Sequence, residues 1–164
     1  MDRPAEQTRS RSTRLLRWAV LLSIAAGLMH GLNVQEHLAE WWGYGFFFLF
    51  AAAAQFLYGL VLVVQPWNYD QTGGRRDGGG YARAFYRAGI VGNSFLILLY
   101  LVTRTVGIPW LGPAAGETEP FTTIGLLTKL LEACLVACLW VLTRSSKDPT
   151  ATSGYHRGIQ RKGL

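Results

Sequence analysis

Apolar residues are concentrated in four long runs along the chain, and charged residues lie almost entirely between these runs. The runs cover residues 18–34, 44–64, 88–103 and 121–143. A helix on the surface of a soluble protein presents a polar face, whereas these runs are apolar on nearly all sides. Each run approaches or reaches the roughly 20 residues that a helix needs to cross a bilayer. The pattern therefore predicts four transmembrane helices.

Strands are a poor alternative for these runs. None of them alternates apolar and polar residues with the period of two that is typical of a membrane barrel strand. Backbone groups in lipid must be paired within a helix or a closed barrel, so helices are the remaining solution. Pro66, Pro109 and Pro120 mark helix boundaries.

We expect an all-α membrane protein that folds as a four-transmembrane-helix bundle. The predicted spans are residues 15–34, 42–64, 84–105 and 121–143. Residues 1–14 form a basic arm before this membrane domain, and residues 144–164 form a basic tail after it.

Basic residues predict the orientation of the bundle. Arg and Lys crowd the N-terminal arm, the connection between the second and third helices, and the C-terminal tail, whereas the other two connections are acidic. Since short cationic segments are retained in the cytoplasm, both termini are expected there. The net charge of +6 then reflects topology and contact with the anionic inner leaflet, and we expect no nucleic-acid partner.

A cleaved signal peptide is an alternative interpretation of the N-terminal region. Arginines precede an apolar stretch, and Ala25, Ala26 and Gly27 offer small residues for cleavage. The apolar run continues beyond this point, which favours a membrane-spanning helix. The other three crossings are the same under either interpretation.

Polar residues inside the predicted spans are costly in lipid and therefore informative. Gln55, Asn93 and Glu132 each lie on the order of 15–20 Å from the outer helix ends, at about 1.5 Å per residue. Lys129 precedes Glu132 by three residues, so the two can form an ion pair. We predict an intramembrane polar core of these four residues. It either holds the helices together or accepts protons or cations from outside.

A second cluster lies near the outer rim, where His30, His37 and Glu40 fall within eleven residues. Imidazole and carboxylate are common ligands of divalent transition metals such as Zn or Cu. Two histidines seven residues apart on one helix stand about 10 Å apart. The metal site therefore requires a bend at residues 31–33.

Arg104 and Glu36 are expected to lie beside this cluster, with Arg104 orienting Glu36 or Glu40. The alternative is a solvated loop next to Trp41 and Trp42 of an interfacial aromatic belt. Haem is disfavoured because the remaining histidine, His156, lies in the basic tail.

Three segments of the chain resemble a family of bacterial four-helix membrane proteins without an established activity. These segments are residues 30–48, residues 104–120 and the Lys129-Leu-Leu-Glu132 stretch. The resemblance covers residues 15–143 and excludes both tails. It implies a fold and a location in the bacterial inner membrane, but no function. It also puts a carboxylate-rich transport path in doubt, because this chain has Gly125 and Thr128 near the start of the fourth helix, where a carboxylate is expected.

Three classes of function stay open at this level. The first is a membrane protein that binds or passes a metal cation or a proton through the outer His/Glu cluster toward Glu132. The second is a non-catalytic accessory or assembly subunit that pairs with another membrane protein or with itself. The third is an intramembrane metallohydrolase with zinc on His30, His37 and Glu40. It is the least favoured, because no separate general base can be named, so we expect no enzyme activity.

The predicted topology can be tested with a reporter that is active only in the cytoplasm. Fused after Leu164, or inserted within residues 78–80, the reporter should be active, because both positions lie on the cationic side of the bundle. Inserted between Ala114 and Ala115, it should be silent. Activity at this last position would contradict the model of four crossings.

Overall fold

The computed structural model describes residues 3–68 and 79–145, and this part of the chain is helical without strands. The helices are α1 (Arg3–Glu40), α2 (Trp42–Val64), α3 (Gly79–Thr105) and α4 (Thr123–Ser145). A single 3-10 turn, Pro66–Asn68, follows α2. The predicted all-α class is confirmed, and all four helices are long and apolar enough to cross a membrane.

The helices pack as a bundle in which α1 contacts both α2 and α4, and α3 contacts α4. Long side chains join α2 to α3, since the Tyr58 hydroxyl donates to the Phe85 carbonyl at 3.1 Å. The α1–α2 junction and the α3–α4 loop lie at one end of the bundle, which we call the loop end. The end with the 3-10 turn lies opposite and is called the terminus end.

Helix α1 is longer than the sequence predicts and continues without interruption through residues 31–33. It has 38 residues, or about 57 Å at about 1.5 Å per residue. Packing on α2 overrides the low helix propensity of Gly31 and Asn33, because the ring of His37 stacks on that of Phe48 with centroids 4.1 Å apart. The Asn33 side-chain amide donates to the carbonyl of Met29. The predicted bend is therefore wrong.

The boundaries of the other three helices lie within five residues of the predicted positions. Helix α2 matches the predicted span, and only Trp41, with extended backbone angles, separates it from α1. Helix α3 begins five residues before the predicted position. Helix α4 begins at Thr123 instead of directly after Pro120, because the Thr122 hydroxyl accepts a hydrogen bond from the Gly125 N–H and caps the helix.

Large apolar side chains cover the outside of the bundle on every helix. Exposed examples are Leu28 on α1, Phe50 on α2, Val91 on α3 and Leu130 on α4. A soluble monomer rarely exposes contiguous apolar surface on this scale. The outer surface is thus compatible with lipid, and the fold suggests a multi-pass membrane protein.

The apolar core of the bundle lies toward the terminus end. Leu62, Leu135 and Leu139 are fully buried there, and Ala19 from α1 packs with them. Trp67 of the 3-10 turn closes this cluster against Tyr86 of α3. The buried ionisable side chains, His30 and Glu132, lie in the half of the bundle nearer the loop end, which is where a functional site is to be sought.

The close approach of α1 and α2 depends on Gly27. A Cβ at this position would lie 3.2 Å from Gln55 Cβ and 3.3 Å from the Ala52 carbonyl oxygen. We expect Gly27→Leu to force the two helices apart and lower the melting temperature in detergent. Overpacking typically costs about 1–3 kcal/mol.

Gly92 provides the matched control for this change. It is also a helical glycine, and nothing lies within 4 Å of a Cβ built there. Gly92→Leu should be neutral or slightly stabilising, because leucine favours helix over glycine. Equal melting temperatures for the two variants would show that the α1–α2 contact does not require glycine.

Candidate functional site

A group of three ionisable side chains, which we call the triad, lies inside the bundle. Glu132 of α4 is fully buried, and its Oε1 lies 2.7 Å from Nε2 of His30 on α1. Its other oxygen, Oε2, accepts a hydrogen bond at 2.7 Å from Nζ of Lys129, one turn earlier on α4. Both carboxylate oxygens are therefore paired, as a buried carboxylate requires.

The pairing with Glu132 bears on which ring nitrogen of His30 carries a hydrogen. An ionised carboxylate only accepts hydrogen bonds, so opposite ionised Glu132 the His30 ring carries a hydrogen on Nε2 and donates it. In the neutral ring Nδ1 then bears a lone pair. This atom is buried and has no hydrogen-bond partner among the described residues. His30 is thus an oriented base with one free basic nitrogen.

A second polar group, the amide layer, lies nearer the terminus end and joins α1, α2 and α3. The Ser23 hydroxyl shares its hydrogen between the main-chain and side-chain oxygens of Gln55, at 2.7 and 2.9 Å. The Gln55 amide donates to Asn93 Oδ1 at 2.8 Å, and the Asn93 amide donates to the Gly89 carbonyl. Every member is buried and bonded within the protein, which is typical of polar residues that hold membrane helices together.

A cavity of about 420 Å³ lies at the loop end of the bundle. Its walls include His30 and Lys129 of the triad, and its mouth includes Glu36 and Glu40. Aromatic and aliphatic side chains from α2 and α3 form much of the remaining wall: Phe47, Phe48, Leu96 and Leu99. The triad is therefore in contact with a space large enough for a small organic ligand.

A His–Glu contact and a further ion pair also line this cavity. Nδ1 of His37 lies 2.9 Å from Oε2 of Glu40, one turn later on α1. The Arg104 guanidinium at the end of α3 pairs with Glu119 of the α3–α4 loop. This loop folds back over the bundle, since the Glu119 N–H donates to the Thr103 carbonyl at 3.3 Å. Arg104 therefore binds Glu119 instead of Glu36 or Glu40, which corrects the sequence prediction.

The residues predicted to bind metal are divided between two separate pairs. His37 and Glu40 pair with each other, whereas His30 lies deeper and pairs with Glu132. Because α1 is unbroken, nothing folds His37 back over His30. Within residues 3–68 and 79–145, no group of three or more His, Cys, Asp or Glu side chains is placed to hold a metal ion. The metal hypothesis gains no geometric support.

The predicted intramembrane polar residues all face the interior, but they form two groups instead of one. Gln55 and Asn93 belong to the amide layer, and Lys129 and Glu132 belong to the triad. Sequence reasoning missed the contact between His30 and Glu132, which joins helices distant in the chain. A signal for it existed, because both residues lie about nine or ten residues from the loop-end termini of their helices.

Comparison with protein-family models, with curated proteins and with solved structures finds no match for this chain. The family resemblance noted from the sequence stays a prediction.

The triad can be tested by breaking it from either side. Lys129→Met leaves the fully buried Glu132 carboxylate with His30 as its remaining partner, and loss of one partner of a buried pair costs about 3–5 kcal/mol. Glu132→Gln removes the buried charge itself, and Lys129, 14% exposed on the cavity wall, can turn toward solvent. We expect Lys129→Met to lower the melting temperature in detergent more than Glu132→Gln does.

Glu117→Gln serves as the control for loss of a carboxylate, because Glu117 is exposed in the α3–α4 loop. It should leave the melting temperature unchanged. Equally small effects of Lys129→Met and Glu132→Gln would mean that the pair contributes nothing to stability.

Proposed function

We propose that this chain is a proton carrier of the bacterial inner membrane, which takes up a proton from the loop end onto the triad. The observation that carries the proposal is the 2.7 Å contact between His30 and Glu132. His30 lines the cavity, and its Nδ1 has no hydrogen-bond partner among the described residues. Buried ionisable residues inside membrane bundles mark proton and ion pathways.

The triad has the chemistry of a proton-binding site. A proton that enters on Nδ1 creates an imidazolium, which Glu132 stabilises through the hydrogen bond already in place. Lys129 donates a hydrogen bond to the second carboxylate oxygen at 2.7 Å, so both oxygens of Glu132 are paired while His30 is neutral. The same carboxylate therefore holds the site in both protonation states without any large movement of side chains.

Within the part of the chain that the structure describes, a cavity reaches the triad from the loop end. Toward the loop end, the cavity places His37, Glu36 and Glu40 at its mouth, and these groups can relay protons from bulk water. Toward the terminus end, the amide layer is followed by the fully buried Leu62 and Leu139. A path closed on one side by packed leucines favours a carrier that changes conformation over an open channel.

The orientation in the membrane belongs to the same proposal. With both termini in the cytoplasm, the loop end faces outward and the cavity opens away from the cell interior. The cationic connections then contact the anionic inner leaflet. Protons would enter from the side on which a respiring bacterium maintains the higher proton concentration.

Proton transfer can be measured in liposomes that contain a pH-sensitive dye and carry the purified protein. With valinomycin and potassium to dissipate charge, an imposed pH gradient should collapse faster than in protein-free liposomes. The rate should saturate as the proton concentration rises, because a carrier has a finite turnover. Loss of the base in His30→Gln and of its charge partner in Glu132→Gln should each reduce the rate at least tenfold.

The control for this assay is Glu117→Gln, which removes an exposed carboxylate outside the cavity. It should transfer protons at the parent rate. A parent protein no faster than empty liposomes would reject the proton carrier, and parental rates in both triad variants would reject the triad as its site.

A further inference from the structure

Two more buried polar atoms belong to residues that line the cavity. The Tyr100 hydroxyl and Nε of Arg104, both on α3, have no hydrogen-bond partner within the described residues. The two side chains are adjacent, since the guanidinium carbon of Arg104 lies 5.1 Å from the Tyr100 ring centroid. Buried polar groups are normally bonded, and those that are not call for a specific explanation.

The position of these two atoms indicates what they could bind. Both can donate a hydrogen bond, so they suit a ligand with two acceptor oxygens. The Lys129 ammonium lies on the same ring, 5.6 Å from its centroid, so two cations lie close to the Tyr100 ring. A carboxylate matches a pair of donors in a cationic setting.

The charges around the cavity show what must accompany such a ligand. Arg104 is balanced by Glu119, and Lys129 is balanced by Glu132. At the mouth, His37 pairs with Glu40, and Glu36 is exposed. With His30 neutral, an added carboxylate would place an uncompensated negative charge in a region of low dielectric. Protonation of His30 adds a positive charge that compensates the charge of the carboxylate.

We propose that the cavity binds a small organic carboxylate together with a proton. The carboxylate accepts hydrogen bonds from the Tyr100 hydroxyl and Arg104 Nε, and the proton resides on Nδ1 of His30. The body of the ligand is apolar, because the facing wall consists of Phe47, Phe48, Leu96 and Leu99. This inference rests on the proton site proposed above and names the substrate class of that site.

Co-binding has a thermodynamic consequence. If the proton strengthens binding of the carboxylate, the carboxylate must strengthen binding of the proton by the same factor. Affinity for a carboxylate that is ionised throughout should therefore rise as the pH falls. This dependence of carboxylate affinity on pH should disappear when His30 is replaced by a residue that cannot accept a proton.

Benzoate is a suitable probe, with benzyl alcohol as the neutral compound of similar shape. We expect isothermal titration of the full-length protein in detergent to show benzoate binding about tenfold more tightly at pH 6 than at pH 8, in the ordinary range of coupling between two sites. Benzyl alcohol should bind weakly and equally at both pH values. His30→Gln should bind benzoate with no difference between them.

Two tyrosine variants provide a matched pair, since both side chains line the cavity. Tyr100→Phe removes a hydroxyl without a partner and should weaken benzoate binding about tenfold to hundredfold, as for a lost hydrogen bond to a charged group. Tyr44→Phe removes a hydroxyl that already donates to the Leu111 carbonyl at 2.8 Å. It should leave benzoate affinity unchanged, and melting temperatures would show that both variants remain folded.

The outcomes separate this inference from the proton carrier. No benzoate binding, or equal affinities for benzoate and benzyl alcohol, would overturn the carboxylate site, even if liposomes show proton transfer. Benzoate binding that is independent of pH would overturn the coupling through His30. Equal losses of benzoate affinity in the two tyrosine variants would overturn the role of Tyr100. Coupled binding without proton transfer would reject the carrier and keep the site.

Discussion

The buried carboxylate of Glu132 is the constraint on which the interior of the bundle depends. An isolated charge in a low-dielectric interior costs several kcal/mol, so both carboxylate oxygens must have partners. Lys129 supplies one from the same helix, and His30 supplies the other from α1. The need to pair Glu132 with His30 therefore fixes the rotation of α1 and α4 about their axes. This pairing also engages Nε2 of His30 and leaves Nδ1 without a hydrogen-bond partner among the described residues.

The two ends of the bundle differ in how tightly the interior is packed and how fully its polar atoms are bonded. Toward the terminus end, leucines and alanines pack as in an ordinary core, and the amide layer above them is fully bonded. Toward the loop end, the interior opens into a cavity whose polar atoms are only partly bonded. Rigid packing at one end and unused hydrogen-bonding capacity at the other support a site approached from the loop end. The α3–α4 loop, tied back through Glu119, forms part of its cover.

Much of the fold could be predicted from the sequence, because lipid imposes simple rules on length and polarity. The span of α2 matches the prediction, and α3 and α4 differ by a few residues at their ends. The bend predicted at residues 31–33 of α1 is wrong for a physical reason. Gly31 and Asn33 disfavour helix locally, but the stacking of His37 on Phe48 and the bond from Asn33 to Met29 hold the helix together. The stacking is a tertiary contact, and contacts between helices leave no mark on local propensity.

The sequence by itself determined which polar residues had to face the interior of the bundle, because any ionisable or amide group within an apolar run needs a partner. It identified Gln55, Asn93, Lys129 and Glu132, and it paired the last two because they lie one helical turn apart. Only the tertiary structure decided the contacts between helices. It placed His30 on Glu132 instead of beside His37, and Arg104 on Glu119 instead of Glu40. Helical periodicity fixes neighbours within one helix, whereas the rotation and depth of one helix against another depend on packing across the whole bundle.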